Sequence, residues 1–139
     1  VDGTIDAIAT DHAPHAPETK ELPFEEAPPG MLGVETALAV AITRLVEPGL
    51  MSLQDVLGAL SWRPARIAGL DGQAHGGPIE PGRPANLCVF APKEKWVVDA
   101  ARMSSKSRNT PFEGWELTGR NHHTLLRGEP VVVDGEPRR

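Results

Sequence analysis

Apolar residues change their spacing part-way along this chain, and that change constrains the fold more than any other feature. Val34, Ala37, Leu38, Ala41, Ile42 and Leu45 form one stripe at the 3.6-residue period of a helix. Pro48-Gly49 ends the pattern. Ser52-Leu53-Gln54-Asp55 then starts a second helix, with Ser52 as N-cap, Asp55 near the positive end, and Val56, Leu57 and Leu60 as the buried face. A helical turn is expected over residues 64–68, with Pro64 at an early position. After Gly69 the helical spacing stops. Residues 87–90 and 96–98 read as short strands, residues 100–121 as a loop, and residues 124–127 and 131–133 as two strands around Gly128-Glu129-Pro130. Asp134-Gly135 reads as a turn. The chain is therefore of α/β class, helical first and β-rich second, with the change near residues 70–78.

Ahead of the helices, Ile5-Asp6-Ala7-Ile8-Ala9 is short and mostly apolar, as expected of a parallel strand covered on both faces. It runs into Thr10-Asp11-His12-Ala13-Pro14-His15 and a Pro-rich loop that reaches residue 32. Loops of that length in compact domains are functional or disordered. Taken alone, Asp11 has an ordinary reading as a turn residue bonding backbone amides, and His12 and His15 as surface imidazoles. Its position supports another reading, since catalytic groups of α/β barrels sit at strand ends and in the loops that follow. A carboxylate there can bind a metal or carry a proton, and His15 can offer a hydrogen bond or a charge to an anion. A metal needs three or four ligands, and no His-x-His pair occurs in the chain. His122-His123 are strand neighbours and point to opposite faces.

Composition removes several classes. A net charge of -5 with no basic stripe argues against nucleic acid. No run of about 18 apolar residues marks a membrane span, and no basic-then-apolar leader is present. Cys88 is the only cysteine; it sits in an apolar run and reads as a small buried hydrophobe, which fits a reducing, cytoplasmic setting. The chain opens on Val1, not Met, and Gly and Pro supply 14 residues each. This is the expectation for a piece or a processed chain.

Several ordered motifs then carry a resemblance. Thr10-Asp11-His12-Ala13-Pro14-His15, Ala27-Pro28-Pro29-Gly30 and Gly33-Val34-Glu35-Thr36 resemble the final barrel strand and loop of class I dihydroorotases, in the amidohydrolase superfamily. Pro64-Ala65-Arg66-Ile67-Ala68-Gly69-Leu70, Gly82-Arg83-Pro84-Ala85-Asn86-Leu87 and the stretch from Ser105-Lys106-Ser107-Arg108-Asn109-Thr110-Pro111-Phe112 to Glu113-Gly114 extend it over nearly the whole chain. The Ser105 stretch separates dihydroorotases from hydantoinases and allantoinases.

The resemblance implies the C-terminal portion of a (β/α)8 TIM barrel, its last strand and following helices over residues 1–70. Residues 71–139 would be part of a small β-sandwich built from both chain ends. It implies zinc, one or two ions, with Asp11 as the ligand from this chain and the other ligands outside it. Asp11 would also be the catalytic proton carrier. His15 would bind the substrate carboxylate, Ala27, Pro29 and Gly30 would contact substrate through their backbone, and His12 would support the loop. The implied reaction is the reversible cyclisation of N-carbamoyl-L-aspartate to L-dihydroorotate in de novo pyrimidine synthesis. The implied partners are that substrate pair and a second copy of the chain or aspartate carbamoyltransferase, with neither nucleic acid nor membrane. A hydantoinase- or allantoinase-type enzyme and an inactive dihydroorotase-like structural subunit are the alternatives. Without the upstream ligands, this chain alone is expected to be inactive.

Overall fold

In a computed structural model the chain is described over residues 2–73 and 75–138. Val1 and Arg139 lie outside the described residues, as does Ala74 at the expected domain change. A short helix, α1 (Pro17–Lys20), interrupts the Pro-rich loop, with Pro17 at its start, where a missing N–H costs nothing. The apolar stripe forms α2 (Ala37–Ala41), which continues as a π turn over Ile42–Val46. Then come α3 (Leu53–Leu60) and α4 (Trp62–Ile67). The β half is β1 (Leu87–Val97), β2 (Glu116–Leu126), β3 (Glu129–Val133) and β4 (Glu136–Pro137). These four pair in that order as one antiparallel sheet.

The sheet differs from the expectation in three places. The strands expected at 87–90 and 96–98 are one strand that ends at Val97, because the ladder with β2 resumes at Lys95↔Thr118 after an irregularity that holds Pro92; proline cannot donate to a ladder and is tolerated at such bulges. The expected loop over residues 100–121 is cut short, since β2 begins at Glu116. Leu117, Thr118 and Gly119 are buried there, while the polar run after them gave no apolar alternation to read. The turn between β2 and β3 is Arg127-Gly128, one step earlier than expected, with φ of 54° and 89°. Asp134-Gly135 repeats that geometry at 52° and 80°. Two positive φ angles in a row are what tight hairpin turns require.

The sheet and α2 share a core of Ala39, Val98 and Leu117, with Val40, Trp96, Met103 and Phe112 packed around it. A Cβ on Gly119, which has φ +96°, would stand 2.5 Å from Ile42 Cδ1, so only glycine lets the helix seat this closely. Polar ties flank the seat: the Thr118 N–H donates to Thr43 Oγ1 (2.9 Å), and the Thr118 hydroxyl donates to Glu47 (2.7 Å). Arg44 lies 4.7 Å from the Trp115 ring centroid.

The other side of the helices is only partly covered. Val34, the first member of the stripe, is 59% exposed. Ala37, Leu38, Leu57 and Leu60 line a cavity of about 950 Å³ whose far wall includes Ile79 and Phe90. Residues 5–9 also lack a ladder: Ile5 is exposed, and the segment is held by Ile8 N–H donating to Ala59 O (2.8 Å). A parallel strand needs neighbouring strands, and none runs beside it among the described residues. The exposed area, 9503 Å², compares with roughly 7000 Å² for a compact monomer of this length. Cys88 corrects another expectation, because it is exposed and not a buried hydrophobe. Partial desolvation pushes its thiol pKa up, away from the thiolate a nucleophile needs. No helix among the described residues is long and apolar enough to cross a membrane.

Ser52 caps α3 as expected, accepting from Asp55 N–H (3.1 Å) and donating to the Asp55 carboxylate (2.7 Å). That hydroxyl, then the Arg63 guanidinium, holds the Asp55 carboxyl below its ordinary pKa. A lowered carboxylate contributes stability above its unfolded pKa and loses it as pH falls through the folded value. Ser52→Ala is therefore expected to cost about 1 kcal/mol near neutral pH. The deficit should narrow in acid, as read by thermal unfolding of wild type and variant across pH; a deficit that widens in acid would contradict the cap.

Candidate active site

Three loop pieces meet at one place: residues 10–15, residues 27–32 and residues 104–110. The first two run side by side, joined by a parallel bridge between His12 and Met31, with Ala13 N–H donating to Met31 O (2.9 Å). The long loop is thus closed at its neck, as ordered functional loops are. His12 closes it further, since its Nδ1 accepts from Gly33 N–H (3.1 Å) and Val34 N–H (3.4 Å). Accepting there puts the ring proton on Nε2. His12 thereby ties the Asp11 turn to the start of α2.

Asp11 stands at φ +45°, a left-handed conformation that Asp and Asn adopt more readily than other side-chain-bearing residues. Its side chain is exposed, and among the described residues its carboxylate has no hydrogen-bond or ion-pair partner. His15 is half-buried and doubly anchored: its N–H donates to Asn109 Oδ1 (3.2 Å), and its ring Nε2 bonds Pro29 O (3.0 Å). Gly30 has φ +129°, and a Cβ there would lie 2.7 Å from Ala13 Cβ and 2.9 Å from His15 Nε2. Glycine is required at Gly30 by both the dihedral and the close approach. Ala27 donates its N–H to Pro23 O (2.9 Å) within its own turn.

Of the residues singled out from sequence, the structure brings His15, Pro29 and Gly30 into contact. Asp11 is four residues from His15 along the same loop and makes no hydrogen bond to them. Ala27 lies at the far end of its turn. Two residues escaped the sequence reading. Lys20 Nζ donates to Pro28 O (2.9 Å) and Gly30 O (3.3 Å). Asn109 Nδ2 donates to Ala13 O (2.9 Å) and Gly30 O (3.3 Å). Asn109 stood inside the quoted Ser105 stretch, but nothing local told which residue of that stretch reaches the loop. Glu35 anchors the same stretch, accepting from the N–H groups of Ser104 (2.9 Å) and Ser105 (3.0 Å).

No group of three or more His, Cys, Asp or Glu among the described residues is placed to hold a metal ion. Asp11 offers one carboxylate where zinc takes three or four protein ligands, so these residues do not form a zinc site by themselves. His122 and His123 go to different partners, Glu94 (2.6 Å) and the Asp134 N–H (3.3 Å), as expected for strand neighbours. The 950 Å³ cavity is not part of this site; of the three loop pieces only Thr10 reaches it.

No protein-family model matches the chain. Curated sequences named dihydroorotase match it along nearly its whole length. That of Mycobacterium tuberculosis is 48% identical over 137 residues, covering 99% of this chain. That of Streptomyces coelicolor is 47% identical over 135 residues, and that of Geobacter metallireducens 45% over 130. The chain spans about 31% of the first two relatives and 30% of the third. Among solved structures, the L-hydantoinase of Arthrobacter aurescens superposes with a TM-score of 0.87 at 31% identity, over 99% of this chain and 31% of that one. A D-hydantoinase from Thermus sp. gives 0.85 at 28%, over 96% and 30%. In sequence the chain is similar to dihydroorotases, and its fold matches a segment of the hydantoinases.

Gly30→Ala tests the geometry directly. The added methyl should displace the His15 ring and break its bond to Pro29, moving the His15 imidazole nitrogen resonances in NMR spectra; resonances identical to wild type would contradict the close approach described.

Proposed function

We propose that this chain is the C-terminal part of a dihydroorotase, the enzyme that interconverts N-carbamoyl-L-aspartate and L-dihydroorotate in de novo pyrimidine synthesis. The observation that carries the reading is 45–48% identity to the three curated dihydroorotases over 94–99% of the chain. The ordered loop supports it. In this reading residues 1–70 complete a (β/α)8 barrel, with residues 5–9 as its last strand, and residues 71–139 belong to a β-sandwich. The 9503 Å² of exposed area fits a segment whose uncovered faces pack on the rest of a longer protein.

The chain's own residues divide the work as follows. His15 holds the substrate carboxylate, and its bond to Pro29 sets the ring's direction. The backbone at Ala27, Pro29 and Gly30 lines the substrate; the Gly30 N–H has no partner among the described residues and is available to donate. Asp11 carries the proton. In hydrolysis its carboxylate takes a proton from the attacking water and delivers it to the ring nitrogen as the C–N bond breaks. Ring closure runs the same transfer in reverse. Zinc enters this reading as a group held mainly by residues outside the chain, with Asp11 the single donor here, and it would supply Lewis-acid activation.

A second reading, a hydantoinase-type cyclic amidohydrolase, is favoured by the superpositions at TM-scores of 0.85 and 0.87. It is the weaker one, because identity there is 28–31%.

Asp11→Asn is the test in the full-length protein. Asn tolerates the left-handed backbone, so the fold should persist while dihydroorotate turnover falls at least about 10³-fold, in line with losing a general base of the 10²–10⁴ class. Turnover near wild type would remove Asp11 from the mechanism. The 139-residue chain alone, supplied with zinc, should show none; clear ring opening by it would overturn the need for outside ligands.

A further inference from the structure

We propose that Asn109 is the positioning residue of the substrate site, setting the distance between His15 and the Pro29-Gly30 backbone from the opposite half of the chain. The inference rests on the reading above, but its geometry stands on its own. Asn109 uses every polar group of its side chain and its main-chain carbonyl as well. Its two side-chain N–H donors go to Ala13 O (2.9 Å) and Gly30 O (3.3 Å). Its Oδ1 accepts from His15 N–H (3.2 Å), and its main-chain carbonyl accepts from Leu32 N–H (3.1 Å).

A planar amide offers two donors and one acceptor in a fixed fork. Here the fork spans both arms of the closed loop, so the arm carrying His15 and the arm carrying Gly30 are registered to one rigid group. Asp, the same shape, would turn an oxygen toward both carbonyls, taking this donor from Ala13 O and leaving Gly30 O with Lys20 alone. Gln would push the fork one methylene too far. Lys20 reinforces one arm only, through Pro28 O and Gly30 O. Asn109 is in turn held by the stretch that Glu35 anchors at Ser104 and Ser105. Neither Asn109 nor Lys20 touches the reacting atoms in this scheme. They act through His15 and Gly30.

The experiment compares full-length wild type with Asn109→Asp and Lys20→Met by steady-state kinetics on L-dihydroorotate, thermal unfolding and hydrogen exchange. For Asn109→Asp, KM should rise about tenfold or more, since misplacing a substrate-holding group by about 1 Å costs on the order of 10²-fold. The fall in kcat should be smaller than the rise in KM. Exchange should speed up at the amides of Ala13 and His15 and at that of Leu32, and stay unchanged in β1 and β2. Lys20→Met should speed exchange on the Gly30 arm alone. Two results overturn the proposal: unchanged KM with unchanged exchange on both arms, or a Tm drop with faster exchange throughout, which marks Asn109 as a general stability residue. If wild type does not turn over dihydroorotate but the two-arm exchange pattern holds, Asn109 keeps its positioning role and the dihydroorotase reading fails. If wild type is active and the pattern is missing, the positioning role fails and the reading stands.

Discussion

The seat of Ile42 on Gly119 is the contact on which the rest of this structure depends. It fixes α2 against β2, and so places residues 104–110, which hang between β1 and β2, beside the loop that leads into α2. A side chain at Gly119 would enter the space of Ile42 Cδ1 and would be strained at its φ of +96°. The Thr118 bonds to Thr43 and Glu47 fix the rotation of the helix at the same point. From there the order is short: Glu35 near the head of α2 holds Ser104 and Ser105, Asn109 follows four residues later, and Asn109 holds both arms of the loop that carries Asp11 and His15. A packing contact in the core thus becomes the spacing between His15 and the Pro29-Gly30 backbone on the surface.

Part of this was legible in the sequence, and the physics explains which part. The stripe from Ala37 to Ile42 and the Ser52 cap are local patterns, and they appear as helices α2 and α3. Asp134-Gly135 is a turn because both residues tolerate positive φ. The start of β2 was missed because Arg120, Asn121, His122 and His123 carry no apolar alternation; their place in the sheet comes from pairing with β1. Val34 belongs to the helical stripe by spacing, yet it is exposed, since a period marks an apolar face without saying what covers it. Asp11 and His15 stood out from sequence because charged groups after a strand are conspicuous. Asn109 did not, because its bonds to His15, Ala13 and Gly30 cross 79 to 96 residues of chain, and such contacts leave no local trace.

The uncovered faces complete the picture. Ile5, Val34 and Ile79 are exposed at 75%, 59% and 85%, and Val34 and Ile79 line the open cavity between the helices and β1. A lone chain leaving that much apolar surface in water forgoes stabilisation of about 25 cal/mol for each Å². Residues 5–9 likewise have no ladder among the described residues and are held by the Ile8 N–H bond to Ala59 O. Both features fit a chain that spans about 31% of the length of the relatives it matches. The loop of residues 10–32 is already shaped by its own hydrogen bonds within this chain.

The most direct test of this account is a crystal structure of the full-length protein with L-dihydroorotate bound. The account predicts the ring carboxylate on His15, ring atoms against the Pro29-Gly30 backbone, and the Asp11 carboxylate within hydrogen-bond reach of the scissile amide. Ligand bound in the cavity beside Leu57 and Phe90 instead, with the Asp11 loop empty, would contradict it.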